Sequence, residues 1–318
     1  MMRRKMISAG LCLALLWMSG CGQKGEPEKF TYFLFATPLK EHETWLKAKT
    51  GFQAACSDYG LKCAWEGPAG IDTEMMEEVM ETGILQKADA IITQGVVDPD
   101  MVREAQAQAQ GIPVVLVDSD IPESASFAYI GKNFRQQAEM LLEDIESRYG
   151  EDEHLVVAIQ VAELGFQIAK DQIAAVEEVF SAHRGGYEIV SVSQSKSDNV
   201  RAKQEWDGVM AEHADINVAI NFAGESAASC YKAAEKYDLR DQMLIYGVDE
   251  VPEVMEMIRQ GKVDGSIVAS FYEYGYRSVE MLYAYITEGK KPEERVQDVV
   301  MIMVTKENID TYQKELSA

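Results

Sequence analysis

Four short stretches end an apolar run on polar residues that could hold a small hydroxyl-rich molecule: TPLKEHETW from Thr37 to Trp45, Thr93-Gln94-Gly95, Asp118-Ser119-Asp120 and Gly247-Val248-Asp249. Carboxylates and amides supply planar acceptors and donors for paired hydroxyls, and a tryptophan offers a flat face to the apolar side of a ring. Each residue also has a structural reading. Asp after an apolar strand often caps the next helix or turns the chain, and an aromatic at a helix start is often simply packed. The convergence of several such ends favours a cleft that binds. Covalent and metal chemistry find little support: C-x-x-C, G-x-S-x-G, G-x-G-x-x-G and Walker sequences are absent. His42, His154, His183 and His213 lack metal-ligand spacing and read as surface or cap residues. No catalytic residue, metal or cofactor is therefore expected. A hydrolase stays open only through a carboxylate pair, Asp118 and Asp249 facing each other across a cleft.

Strand-end residues can meet only if the strands run parallel and the chain is wound as βαβ units. Short β-rich apolar runs do alternate with stretches of helical period. The first series runs FTYFLFA, CAW, ADAIITQ, IPVVLVD and FAYIG, with helices near 45–59, 71–82, 99–110 and 133–149. A second series runs HLVVAIQV, YEIVSV, NVAINF, MLIYGVD and GSIVA, with helices near 167–182, 198–212, 226–236 and a short one ending before Gly261. The fold class is α/β, two doubly wound parallel-sheet lobes with ligands expected beyond the strands' carboxyl ends. Tyr272, Tyr274, Tyr276, Tyr283 and Tyr285 read as one helix packed on a sheet.

Ahead of this lies a basic stretch, Arg3-Arg4-Lys5, and an apolar run from Met6 to Met18 that is too short for a bilayer span and ends in GQKGEPEK. Ser19-Gly20-Cys21 resembles the lipobox of bacterial lipoproteins, with Met18 where Leu is usual. Residues 1–20 are expected to be a signal peptide, Cys21 the lipidated residue and 21–29 a flexible tether. The chain has 30 Lys+Arg against 53 Asp+Glu, a formal charge of −23, and loss of the leader makes it more acidic still. Phosphate backbones and anionic lipid repel such a chain, so nucleic acid is excluded as a partner and the membrane is met through the lipid. Cys56 and Cys63, on a helix face and the following strand, could pair in an oxidising compartment or remain buried thiols.

The mature chain from Phe30 to about Thr305 resembles the type I periplasmic binding proteins of the ribose-binding and related sugar-binding group, substrate-binding lipoproteins of ABC importers. Its most specific stretch is YGVDEVPEVMEMIRQGKVDGSIVASFYEYGYRSVEMLYAYITEGKKP; AIITQG, GIPVVLVDSDIP and AYIGKNF match the first lobe. The resemblance implies a three-crossing hinge near 131–133, 269–271 and 297–299. It places 30–131 with 271–297 in an N-terminal lobe and 132–270 with 298–318 in a C-terminal lobe.

The family's binding positions carry over unevenly. Trp45 keeps a stacking position, while Thr44 replaces an aromatic. Gln94, Asp118 and Asp249 stand at polar positions of the family. Ser119 and Gln172 stand where arginines are usual, and Ser197, Ala223 and Ala269 stand near a lost aromatic, asparagine and glutamine. A pocket without both arginines is not the usual one for a pentose or hexose. The resemblance implies a monomer outside the cytoplasm that closes on a sugar-like ligand and presents it to an ABC permease. A sensor of the same fold, signalling to a membrane histidine kinase or chemoreceptor, is the alternative. A repressor effector domain shares the fold, but an export signal stands where its DNA-binding headpiece would be.

Overall fold

A computed structural model describes residues 31–107 and 111–313. The leader, Cys21 and the tether lie outside the described residues. The first half alternates β1 (Tyr32–Ala36), α1 (Glu43–Asp58), β2 (Lys62–Glu66), α2 (Thr73–Leu85), β3 (Ala90–Gln94), α3 (Pro99–Ala107), β4 (Val114–Val117) and β5 (Ala128–Gly131). The second half repeats the scheme with α4 (Phe134–Tyr149), β6 (Leu155–Val161), α5 (Gln167–Phe180), β7 (Tyr187–Gln194), α6 (Asn199–Glu212), β8 (Val218–Asn221), α7 (Ser226–Lys236), β9 (Leu244–Val248), α8 (Pro252–Arg259) and β10 (Gly265–Ala269). The chain ends with α9 (Phe271–Glu288), β11 (Val296–Asp298) and β12 (Met301–Thr305).

These strands make two six-stranded sheets in the orders β11-β5-β4-β3-β1-β2 and β12-β10-β9-β8-β6-β7. Every pairing is parallel except that of β12 on β10. The doubly wound α/β lobes read from the sequence are the fold. Helices cover both faces, so inner strands such as β3 (AIITQ) and β9 (LIYGV) are buried at every residue and read as continuous apolar runs. The edge strands β2 and β7 carry exposed residues. β11 and β12 extend each sheet beyond the five strands legible in the sequence; their pairing depends on partners distant in the chain.

The chain passes between the sheets three times: through Lys132 and Asn133 after β5, through Ser270 after β10, and through Val299 and Val300 between β11 and β12. Asn133 caps α4 by accepting from Gln136 N at 3.1 Å, and its Nδ2 donates to Asp298 Oδ2 at 3.2 Å, tying the first crossing to the third. Helix α9 returns to lie on α1 and against β4 and β5. Three of its five tyrosines pack inward: Tyr274 is buried, Tyr283 lies on Tyr59 and Tyr285 on Phe127, while Tyr272 is exposed. Cys56 of α1 and Cys63 of β2 form a disulfide, and Cys230 is a buried free thiol. One histidine departs from its surface reading. His183 is buried, with Nδ1 2.7 Å from Glu146 Oε1 and Nε2 2.7 Å from the Glu153 carbonyl, because the α4, α5 and β6 ends converge on it.

Contact of α1 with α9 is so close that it excludes side chains. A Cβ on Gly51 would lie 2.0 Å from the Tyr272 carbonyl oxygen, and one on Gly275 would lie 2.1 Å from that of Ala48. Backbone cannot yield there as a flexible side chain can. Gly275→Ala is expected to cost about 1–3 kcal/mol by overpacking and to lower the unfolding midpoint by several degrees in calorimetry. Gly208→Ala, on α6 with open space around it, should be neutral or stabilising by up to about 1 kcal/mol. Equal effects at the two sites would remove the close-approach explanation.

Candidate functional site

The carboxyl ends of both sets of strands line a cleft that is partly open to solvent. Two of these ends repeat one device. β4 and β9 hold the same place in their sheets, and each is followed by an aspartate in the left-handed region, Asp118 at φ 64° and Asp249 at φ 66°. Each amide donates to the neighbouring strand, to Ile130 O and Ile267 O, both at 3.0 Å. Each carbonyl accepts a hydroxyl from that strand, Tyr129 Oη at 3.1 Å and Ser266 Oγ at 2.9 Å. Asp tolerates this backbone better than most residues, and the hydrogen bonds on both sides hold it there. The result is that both carboxylates turn into the cleft, one from each lobe.

Between them stands Lys132 of the first crossing. Its Nζ lies 3.0 Å from Asp118 Oδ1 and 3.5 Å from Asp249 Oδ1, and its side chain is 4% exposed. The ammonium also stands 5.2 Å from the centre of the Phe271 ring. Burial opposes its charge, but Asp118 and then Asp249 outweigh burial and hold its pKa above the ordinary lysine value. Burial is also the largest influence on Asp249 and raises its carboxyl; Lys132 opposes the rise, and Asp118 adds to it.

Asp118 is saturated by protein donors. Gln94 Nε2 donates to its Oδ2 at 2.7 Å, while Lys132 and, at 3.4 Å, Tyr274 Oη donate to its Oδ1. Asp249 Oδ1 is buried and accepts no hydrogen bond among the described residues. The two aspartates are thus equal in backbone and unequal in availability.

Of the residues singled out in the sequence, Thr44, Trp45, Gln94, Asp118, Gln172, Ser197 and Asp249 line the cleft. Ser119 does not; its hydroxyl donates to Gly95 O at 3.0 Å, pinning one strand-end loop to the next. Trp45 meets both of its readings, since it lines the cleft while packing edge-on against Phe35 and Phe271. Gln172 is buried and donates to Gln137 Oε1 at 3.3 Å, and Ser197 follows Lys196 in a turn with φ 58° and 53°. Ala223 lines the cleft and Ala269 does not.

The sequence reading missed Lys132, Glu225, His42 and Phe271 as cleft residues. No local signal marked Lys132, because a lysine is rarely buried unless paired and its partners lie far along the chain. His42 caps α1, its Nδ1 accepting from Thr44 N at 3.3 Å, which leaves Nε2 as the proton-bearing nitrogen of the neutral ring. Across the mouth of the cleft Lys47 of α1 pairs with the Glu250 carboxylate and donates to its carbonyl at 3.3 Å. Among the described residues no group of His, Cys, Asp and Glu is placed to hold a metal, and no helix is long and apolar enough to cross a membrane.

Residues 33–291 match a family model described as periplasmic binding protein domain. No curated protein matches the chain. Among solved structures it is similar to GanP, a glucose-galactose binding protein from Geobacillus stearothermophilus, at 22% identity and TM-score 0.81, covering 89% of this chain and 100% of that one. It is also similar to an ABC transporter solute-binding protein from Burkholderia graminis in complex with D-arabinose, at 20% identity and TM-score 0.80 over 89% and 98% of the two chains. A structure described as a XylFII-LytSN complex matches at 22% identity and TM-score 0.78 over 88% and 99%.

Removing the central cation leaves two buried carboxylates uncompensated. Lys132→Met is expected to destabilise the protein by about 3–5 kcal/mol near neutral pH. A buried acid whose folded pKa is raised stabilises the fold when protonated, so its contribution grows as pH falls through the folded value and is lost above it. Urea unfolding of Lys132→Met should therefore recover part of the loss as pH is lowered from neutrality. A loss independent of pH would show that packing, not charge, is what Lys132 supplies.

Proposed function

The chain belongs to the periplasmic binding protein domain family, and on that premise we propose that it captures a sugar or sugar-like molecule between its lobes and presents it to an ABC permease. It is a binding protein of the extracytoplasmic space, not an enzyme. The observation that carries the reading is the cleft into which the strand ends of the two sheets deliver Gln94 and Asp249 and helix α1 delivers Trp45. The relatives described as binding glucose-galactose and D-arabinose make the sugar class the first to test.

Capture proceeds by closure about the three crossings, with residues 30–131 and 271–297 moving against 132–270 and 298–318. Trp45 offers its edge and face to a ring, and Asp249 accepts from a donor on the ligand. The closed shape, bridged by Lys132 and Lys47, is what a membrane partner reads. Anchoring is through lipid on Cys21, the protein acting as a monomer. The described XylFII-LytSN complex supports a second reading, in which a second protein rather than a permease receives the closed form.

Thermal unfolding against a panel of sugars, polyols and nucleosides tests the reading. A ligand at ~100 times its dissociation constant adds ~2.7 kcal/mol to stability, which raises the midpoint of a chain this size by several degrees. One class should shift the midpoint, and Asp249→Ala should abolish the shift. A flat panel with a cooperative transition would remove the sugar class.

A further inference from the structure

Resting on that capture reading, we infer that the ligand carries a basic amine, an aminated sugar or polyol bound as its ammonium against Asp249 and Glu225. The acidic residues lining the cleft are Asp72, Asp118, Glu163, Glu225 and Asp249. Three are already engaged by the protein. Asp72 caps α2 at Met75 N, Glu163 pairs with Lys196, and Asp118 is filled by Gln94, Lys132 and Tyr274.

Of the other two, Glu225 Oε1 is buried and accepts no hydrogen bond among the described residues, and the buried Asp249 Oδ1 has only the Lys132 ammonium at 3.5 Å. They share one wall: a Cβ on Gly224, next to Glu225, would lie 3.9 Å from Asp249 Oδ2. The single charge of Lys132 is divided between Asp118 and Asp249 and does not reach Glu225 as an ion pair. Gln172, which also lines the cleft, is neutral. The cleft therefore closes with more carboxylate than cation, and burying uncompensated charge is costly.

A hydroxyl would donate one hydrogen bond there and leave the charge as it is. An ammonium donates three and neutralises it, and charge-assisted bonds are about twice as strong as neutral ones. Trp45, Phe166 and Phe222 also line the cleft, with ring faces suited to a cation or to the apolar side of a sugar. His42, which caps α1, borders the same space, its Cε1 4.0 Å from a Cβ placed on Gly224.

Matched pairs of probes test this on the unaltered protein by calorimetric titration: glucosamine against glucose, galactosamine against galactose, and the N-acetylated sugars, whose nitrogen carries no charge. The amine is expected to bind at least tenfold more tightly than both neutral partners in one pair, with an advantage that shrinks as salt is raised. Asp249→Asn and Glu225→Gln should each reduce that preference by about tenfold while leaving the unfolding transition cooperative. Equal or tighter binding of the neutral sugar overturns the amine and leaves sugar capture standing. Amine preference untouched by both substitutions overturns its placement on this wall. Absence of binding across both series, with no midpoint shift from any sugar or polyol, overturns the capture reading together with this one.

Discussion

A lysine ammonium buried between two aspartates is the interaction on which the rest of the structure depends. Lys132 sits on the first passage between the sheets, Asp118 ends a strand of one lobe, and Asp249 ends the equivalent strand of the other. None of the three charges could be buried alone, since each would lose its hydration without repayment. Together, and with Gln94 and Tyr274 donating to Asp118, they make a hub in which one ammonium is shared by two carboxylates. In the proposed opening Asp118 and Asp249 part, with Lys132 at the crossing between them. The geometry of closure and the electrostatics of the site are thus one interaction seen from two sides.

The equivalence of the two aspartates follows from the duplicated winding of the sheets. In each lobe the equivalent strand, β4 or β9, ends beside a partner strand that supplies a carbonyl for the amide and a hydroxyl for the carbonyl. That local frame fixes a left-handed residue and points its side chain out of the sheet, whatever the lobe. What differs is the surroundings. Asp118 faces Gln94 at a neighbouring strand end and Tyr274 on α9, and among the described residues Asp249 has only Lys132 near its buried oxygen. A symmetric backbone therefore yields one aspartate that organises the hub and one left open to a ligand.

Rigid packing behind the hub keeps these distances. Helix α9 begins at the second crossing with Phe271, whose ring meets both Trp45 and the Lys132 ammonium, and then lies along α1 with Gly51 and Gly275 at the contact. The Cys56–Cys63 disulfide ties the far end of α1 to β2. Helix α1 thus presents Trp45 and, through its cap, His42 from a position fixed at both ends.

Periodicity alone determined the alternation of buried strands and covering helices, because a strand covered on both faces must be apolar at every residue and a helix on a sheet must be apolar on one side. The same local logic located Gln94, Asp118 and Asp249 at strand ends, and the residues around GVD and QGK carried the family resemblance. Lys132 escaped it, since a lysine in sequence reads as a solvated residue. Its burial exists only where carboxylates 131 residues apart in the chain are brought within 3.5 Å or less of one nitrogen. Ser119 was misplaced for the converse reason: its type suits a ligand, but folding turned its hydroxyl onto the Gly95 carbonyl. Which strand ends exist is written locally, in side-chain polarity. Which of them face each other, and which carboxylate is left without a donor, is decided by long-range packing that no single segment encodes.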